Sequence, residues 1–356
     1  MKSDFIYLRI LMAMVLFLIM AQSNVWADTE THLVLAVGYR ALLVATPFFV
    51  HFGYSRGMSV SLLIGILSLL LAYFSFNALA LGLFALGMAV GGYICKFSNS
   101  HTTKGAADNK VALNIGSLAA GFLLLWTQEK NILIGLSIVA LMVALYFSTR
   151  IDWDLSKVTQ STTLLKKKNN FLHFIGWSLI GIATGIKLTG VFTILPQFLI
   201  HKMGILPNWF GSLLIINSLG VIFVQHRILK YLDQSKRNWT LLLSTSAMVL
   251  LALPALFHVE TLMGAVLWIG LLTLGECALS HYDTVAKLQG YLFPKELMVG
   301  VGSFLTVYLG REFPDFSALS GGIGTACLLL GFVLTKTSDS GVGYFKLFTF
   351  DRDLAS

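Results

Sequence analysis

The chain has 356 residues, 56% of them hydrophobic and 12% charged, with a mean hydropathy of +0.79, a composition far too apolar for an ordinary soluble domain. The formal charge of +8 does not by itself mark a nucleic-acid binder, because basic residues in a polytopic membrane protein collect in the loops on one side. Cys95, Cys277 and Cys327 are too far apart for a disulfide framework or a metal site, and no GxxxxGK, HExxH, CxxC or GxSxG pattern calls for a nucleotide, metal or other cofactor.

Apolar runs predict membrane-spanning helices at about 5–26, 33–50, 58–75, 77–95, 111–127, 132–149, 171–195, 209–228, 239–257, 261–280, 297–312 and 317–335. Each is long enough to cross a hydrocarbon core of ~30 Å at ~1.5 Å per residue. With the amino terminus in the cytoplasm, nineteen lysines and arginines fall on that side and only Lys130, Lys202 and Arg311 on the other. Both termini are therefore expected to be cytoplasmic, in a plasma membrane such as the bacterial inner membrane.

In chain order, the first span has the basic start, apolar middle and Val25-Trp26-Ala27 ending of a cleavable signal peptide. Retaining it as a helix keeps the span count even. Arg9, one turn inside, reads as a residue snorkelling to the interface, and Gln22, Ser23 and Asn24 add polar groups near the far end. The second span carries Arg40 about eight residues from its external end, a planar donor fork suited to a carboxylate or phosphate. The strings LGLFALGMAVGG and NIGSLAAG, in the fourth and fifth spans, predict close helix packing. Asn114 and Ser117 in the fifth add polar groups.

Residues 150–170 form the most polar stretch and link two sets of six spans. The span starts of the second set follow those of the first by 166, 176, 181, 184, 186 and 185 residues. The expected organisation is a half at 1–149, a cytoplasmic linker at 150–170, a half at 171–335 and a cytoplasmic tail at 336–356. Two parallel halves about a central site are an architecture of secondary transporters.

Lys187 stands near the middle of the seventh span, where a charge costs at least ~2.5–3.5 kcal/mol on insertion scales. It either pairs structurally with a carboxylate or serves a water-filled cavity as a binding or coupling charge. Gly181, Gly185 and Gly190 allow this helix close approach or bending. Asn217 in the eighth span sits near mid-depth, and Gln225 follows it. Glu276 is the one carboxylate placed inside a span, about one turn from the cytoplasmic end of the tenth. It is a proton carrier or a gate residue. Ser303, Thr306 and Tyr308 follow in the eleventh span. The nearest approach to an acid-base cluster is Glu276, His281 and Asp283, on which an integral-membrane transferase at the cytoplasmic interface would have to be built.

LPQFLIHKMGILPNWFGSLLIINSLGVIFVQHRILKYLD, residues 195–233, resembles the seventh-to-eighth span passage of the major facilitator superfamily of secondary transporters. Gly275-Glu276 and the Lys295 region resemble the family as well. HFGYSRG, residues 51–57, keeps Gly53, Arg56 and Gly57 of the family's signature loop and lacks its aspartate. The resemblance implies a cavity lined by the first, fourth, seventh and tenth spans. It also implies cytoplasmic gating contacts, in the first half at Arg56, where the aspartate is missing, and in the second at Asp233 with Lys236 and Arg237.

The expectation is an all-α polytopic membrane protein of twelve helices in two pseudo-symmetric six-helix halves, a secondary transporter. Substrate-binding candidates are Lys187, Arg40 and Asn217, and the proton-coupling candidate is Glu276. The expected partners are a small, anionic organic molecule, the lipid bilayer and a proton or other coupling ion, with no nucleic acid and no metal, and the protein is expected to be a monomer. A carboxylate, an amino acid or a carboxylate-type siderophore fits the cations. A broad-range multidrug or siderophore exporter is the alternative.

Overall fold

The structure, a computed structural model, describes residues 3–26, 29–100, 102–127, 129–153, 171–204, 207, 209–234, 238–312 and 316–337. Among them the regular elements are helical: α1 (Ser3–Trp26), α2 (Thr29–Ala41), α3 (Thr46–Val50), α4 (Tyr54–Phe74), α5 (Ala78–Asn99), α6 (Thr103–Trp126), α7 (Lys130–Arg150), α8 (Phe171–Met203), α9 (Phe210–Gln234), α10 (Trp239–Leu251), α11 (Leu262–Leu288), α12 (Leu292–Glu312) and α13 (Phe316–Thr337). Three starts are capped by a side-chain oxygen. Asn77, Thr102 and Thr261 accept from the backbone N–H groups of Ala80, Gly105 and Gly264. Residues 154–170, most of the expected linker, and the tail beyond 337 lie outside the described residues.

Nine of the described helices are long and apolar enough to cross a membrane, which makes this a multi-pass membrane protein. The other three predicted spans take less regular forms. The second is broken into α2, a 3-10 turn at Leu42–Ala45 and α3, because Pro47 in the first turn of α3 supplies no N–H and crowds the carbonyl four residues back. The eighth, α9, carries Arg227, Lys230 and several amides. The ninth, α10, is short and ends ahead of the 3-10 turn at Pro254–Phe257.

The two groups of six spans repeat one packing scheme. The first span lies on the fifth and sixth, as α1 on α6 and α7 and as α8 on α12 and α13. The second lies on the fourth, as α2 on α5 and α9 on α11. The third lies on the fourth and sixth, as α4 on α5 and α7 and α10 on α11 and α13. The groups meet through α6 on α9 and α2 on α12, contacts that are each other's equivalents under the repeat, and through α6 on α11.

Close approach depends on missing side chains. A Cβ on Gly181 would run into the carbonyl of Lys295, one on Gly185 into that of Val299, and one on Gly302 into that of Ile182, so α8 and α12 lie backbone to backbone. Gly87 meets the Ser61 carbonyl and Gly116 that of Ile10, which is the packing role expected of the two small-residue strings.

Several helix ends differ from expectation. The tenth span runs on to Leu288 and the eleventh begins at Leu292, so Glu276 lies three turns inside its helix rather than one. Asp283 and Glu296 then join Glu276 as intramembrane carboxylates, Glu296 being 1% exposed. The fourth and fifth spans likewise extend to Asn99 and start at Thr103, which draws Lys96 and Lys110 from the expected loops into the helices.

Candidate functional site

Lys187 is fully buried on α8, and its ammonium donates to Oε2 of Glu276 on α11 at 2.7 Å. Lys110 on α6 forms an ion pair with the other oxygen, Oε1. One carboxylate thus bridges a lysine from each group of helices. Desolvating charges is costly, and such a cluster persists only where partners are close and oriented. Two ammonium groups around one carboxylate leave the triad with a net positive charge.

A second, lower cluster lies nearer the end at which α1 starts and α13 ends. Glu296 accepts from Lys96 at 2.6 Å, from Arg40 at 2.8 Å and from Lys295 at 3.4 Å. Asp283 pairs with Lys295 at 2.5 Å and with Lys96 at 2.9 Å. Three cations and two carboxylates again leave a positive surplus, and Arg40 and Lys96 come from one group while the rest come from the other. Glu276 and Asp283 are seven residues apart on α11, so the two layers are separated by about 10 Å along the helix and share one face. Aromatic groups flank the lower layer. The Lys287 ammonium lies over the Phe97 ring, the Arg40 guanidinium is 5.1 Å from the centre of the Tyr39 ring, and Phe293 meets Tyr93 edge-on at 5.5 Å.

The structure brings Lys187 and Glu276 together and ties Arg40 to Glu296 instead. Arg40 is not shallow: it sits just before the break in its span, and its head reaches the first turns of α12. Asn217 faces α11 within its own group, where its Oδ1 accepts from the Thr273 hydroxyl at 2.7 Å. Gln225 donates to the Cys277 carbonyl at 3.2 Å, and Thr189 to the Ser303 hydroxyl at 2.7 Å. Gln22, Asn114, Ser117 and Thr306 are buried, whereas Tyr308 is exposed. The Asn24 side chain lies outside the description.

Arg9 does not snorkel, being 5% exposed and donating from Nε to Oδ1 of Asn109 at 3.0 Å. Arg56 is exposed near the start of α4. Only the backbone of Asp233 is described, and Arg237 lies outside the described residues. Asp283 belongs to the lower ion-pair layer rather than to an acid-base cluster with His281.

Lys96, Lys110, Lys295 and Glu296 were hidden as loop residues. A usable signal was the spacing of Glu276, Asp283 and Lys287 on one stripe of a long helix, which an interface-bound segment does not need.

Gly300 lies where the groups meet: a Cβ there would stand 2.6 Å from the Cβ of Arg40, well inside carbon contact distance. Gly300→Val is expected to push α2 from α12 and to raise the rate at which a maleimide labels buried Cys277, measured with Cys95→Ser/Cys327→Ser as background. An unchanged rate would mean that this contact does not hold the end shut.

No family model matches the chain, and no curated protein matches it. Solved structures do. A crystal structure of the human organic anion transporter MFSD10 superposes with a TM-score of 0.61 at 11% identity, covering 94% of this chain and 100% of that one. A crystal structure of FucP, a major facilitator superfamily transporter in the outward conformation, gives 0.63 at 11% identity, covering 94% and 99%. The fold of this chain is that of the major facilitator superfamily.

Proposed function

We propose that this chain, built on the major facilitator fold, is a secondary transporter that moves a small organic anion by alternating access. The observation that carries the reading is Glu276, held near the middle of α11 between Lys187 of one helix group and Lys110 of the other. An ion pair across the moving interface can be exchanged for one with a ligand, and the surplus cation favours a carboxylate or another oxyanion. The organic anion transporter among the structural neighbours supports the same charge preference. Both acid-base candidates, Glu276 and Asp283, are taken up by lysines, which supports transport over group transfer.

In this reading Lys187 binds the substrate, with Arg40 and Asn217 as further contacts, and Glu276 takes up a proton when Lys110 leaves it. The lower layer closes the end at which α1 starts and α13 ends, in line with the outward conformation of FucP. In this reading that end faces the cytoplasm of a bacterial inner membrane, which the distribution of basic residues supports as to side. Arg56, Asp233 and Arg237 then belong to the gate region at that end, and the working unit is a monomer.

The test is uptake by proteoliposomes of a labelled panel of mono-, di- and tricarboxylates under an imposed pH gradient. Lys187→Met is expected to fold, because it removes a desolvated charge and leaves Glu276 paired with Lys110. Its affinity should fall by the loss of one charge-assisted hydrogen bond of ~1.5–3 kcal/mol, roughly ten- to a hundred-fold. If none of the panel moves while an organic cation does, the exporter alternative replaces this reading.

A further inference from the structure

The central carboxylate of the lower layer is held from both groups of helices, and unequally. From the first group, Arg40 donates from Nη1 to Oε2 of Glu296 at 2.8 Å and Lys96 donates from Nζ to Oε1 at 2.6 Å. Each oxygen thus has its own cation, which is how a free carboxylate would be bound by the same two residues. Within its own group Glu296 pairs, among the described residues, with Lys295 at 3.4 Å. That lysine is closer to Asp283, at 2.5 Å. The tighter hold on Glu296 therefore crosses the boundary between the groups.

Arg40 and Lys96 stay together when the groups part, because α2 packs on α5 inside the first group. Glu296 leaves with α12, and both it and Asp283 keep Lys295. What remains on the first wall is the place that a carboxylate has just filled. It lies between two cations whose carboxylate partners among the described residues, Glu296 and Asp283, both belong to the other group.

We propose that Arg40 and Lys96 form a second carboxylate-binding site, which Glu296 fills while this end is shut and a carboxylate of the transported molecule fills once it opens. The inference rests on the transporter reading and deepens it: Lys96 joins the binding residues, and gate and cargo compete for one pair of cations. The return of Glu296 expels the cargo, so unloading and closure are one event. A phosphate of an anionic lipid is the other source of an oxyanion, and the test separates the two.

The experiment follows maleimide labelling of Cys277 in the full chain carrying Cys95→Ser/Cys327→Ser, in nanodiscs of neutral lipid. Sodium acetate is the probe, and sodium chloride at matched ionic strength is the control. In the parent, acetate competes with Glu296 and holds the end open, so labelling should quicken about two-fold or more. In Glu296→Ala, acetate takes the vacated place between the cations and should slow labelling about ten-fold. Lys96→Gln leaves Arg40 to Glu296 and Lys295 to Asp283, so it should fold and lose the acetate response. In oriented proteoliposomes the same variant should raise the half-saturating concentration of whichever panel carboxylate moves about ten-fold from the face at which α1 starts. From the opposite face the change should be small.

The site is refuted if acetate and chloride act alike, which is screening alone, or if acetate shifts labelling in the same direction in the parent and in Glu296→Ala. Should Glu296→Ala fail to fold, Lys96→Gln still decides: an equal loss of affinity from both faces, or no loss, refutes the site. Exchanging neutral for anionic lipid should leave the acetate response in place. If it abolishes the response, a headgroup phosphate holds the pair and the proposal is overturned. Carboxylate transport that Lys96→Gln leaves intact would sink this inference and leave the transporter reading standing, whereas movement of no solute at all would sink both.

Discussion

Glu276→Gln is expected to unfold the protein earlier than either lysine substitution in the upper layer. The glutamine keeps the shape but leaves the Lys187 and Lys110 ammonium groups facing each other without a carboxylate, one of them fully buried. Breaking a buried pair by removing one partner costs about 3–5 kcal/mol, because a charge is stranded. Lys187→Met strands nothing, since Lys110 still compensates Glu276. The ordering is thus asymmetric: a large loss for Glu276→Gln, a small change for Lys187→Met, and partial recovery in Lys187→Met/Glu276→Gln, where Lys110 alone still lacks its carboxylate. Thermal unfolding in detergent reads all three. Should Lys187→Met prove as damaging as Glu276→Gln, with the double variant restored to the parent's level, the lysine is chiefly a structural partner and its binding role falls.

Glu296→Gln is expected to have a comparable cost and a different signature. Glu296 accepts from Arg40 and Lys96 of one group and Lys295 of the other, and after substitution Asp283 alone faces all three cations. Repulsion of about two uncompensated charges then acts across the seam between α2 and α12, so the closed arrangement loses stability relative to the open one as well as to the unfolded chain. Hydrogen exchange at the start of α12 should accelerate, and Cys277 should label faster than in the parent. Arg40→Met/Glu296→Gln should reverse much of both effects by removing one of the opposed cations. If exchange accelerates evenly over all helices, the residue supports the fold in general and does not hold the seam.

The number of helices and the repeat were legible because apolar length and spacing are local properties that hydropathy reads directly. Lys187 and Glu276 stood out for the same reason, being charges deep inside apolar runs. The rest of the ionic architecture was not legible in that way. A charge near the edge of a run was read as the end of the helix, which put Lys96, Lys110, Lys295 and Glu296 outside the membrane. In the structure those helices continue for several residues, and Lys96, Lys110 and Glu296 are offset by partners more than a hundred residues away, as Lys96 is by Glu296. Compensation of that kind has no signature in a window along one segment. Arg9 failed for the opposite reason. Its position fitted an interface residue, and only the packing of α1 on α6 shows that protein covers it.

The glycine seam between α8 and α12 sets how the two ion-pair layers can act. Gly181, Gly185 and Gly302 bring the two backbones into direct contact over the turns that precede Lys187, from the Lys295 carbonyl to Gly302, leaving no side chains between them to yield. A pair of helices joined in this way behaves as a single stiff lever, and α11 carries Glu276 and Asp283 on a second continuous rod. Both layers are therefore mounted on the same rigid parts. On the proposed transport reading, a ligand that displaces Glu276 from Lys187 is then expected to pull at the same time on the contacts of Glu296, so that the two locks release in one stroke rather than in sequence.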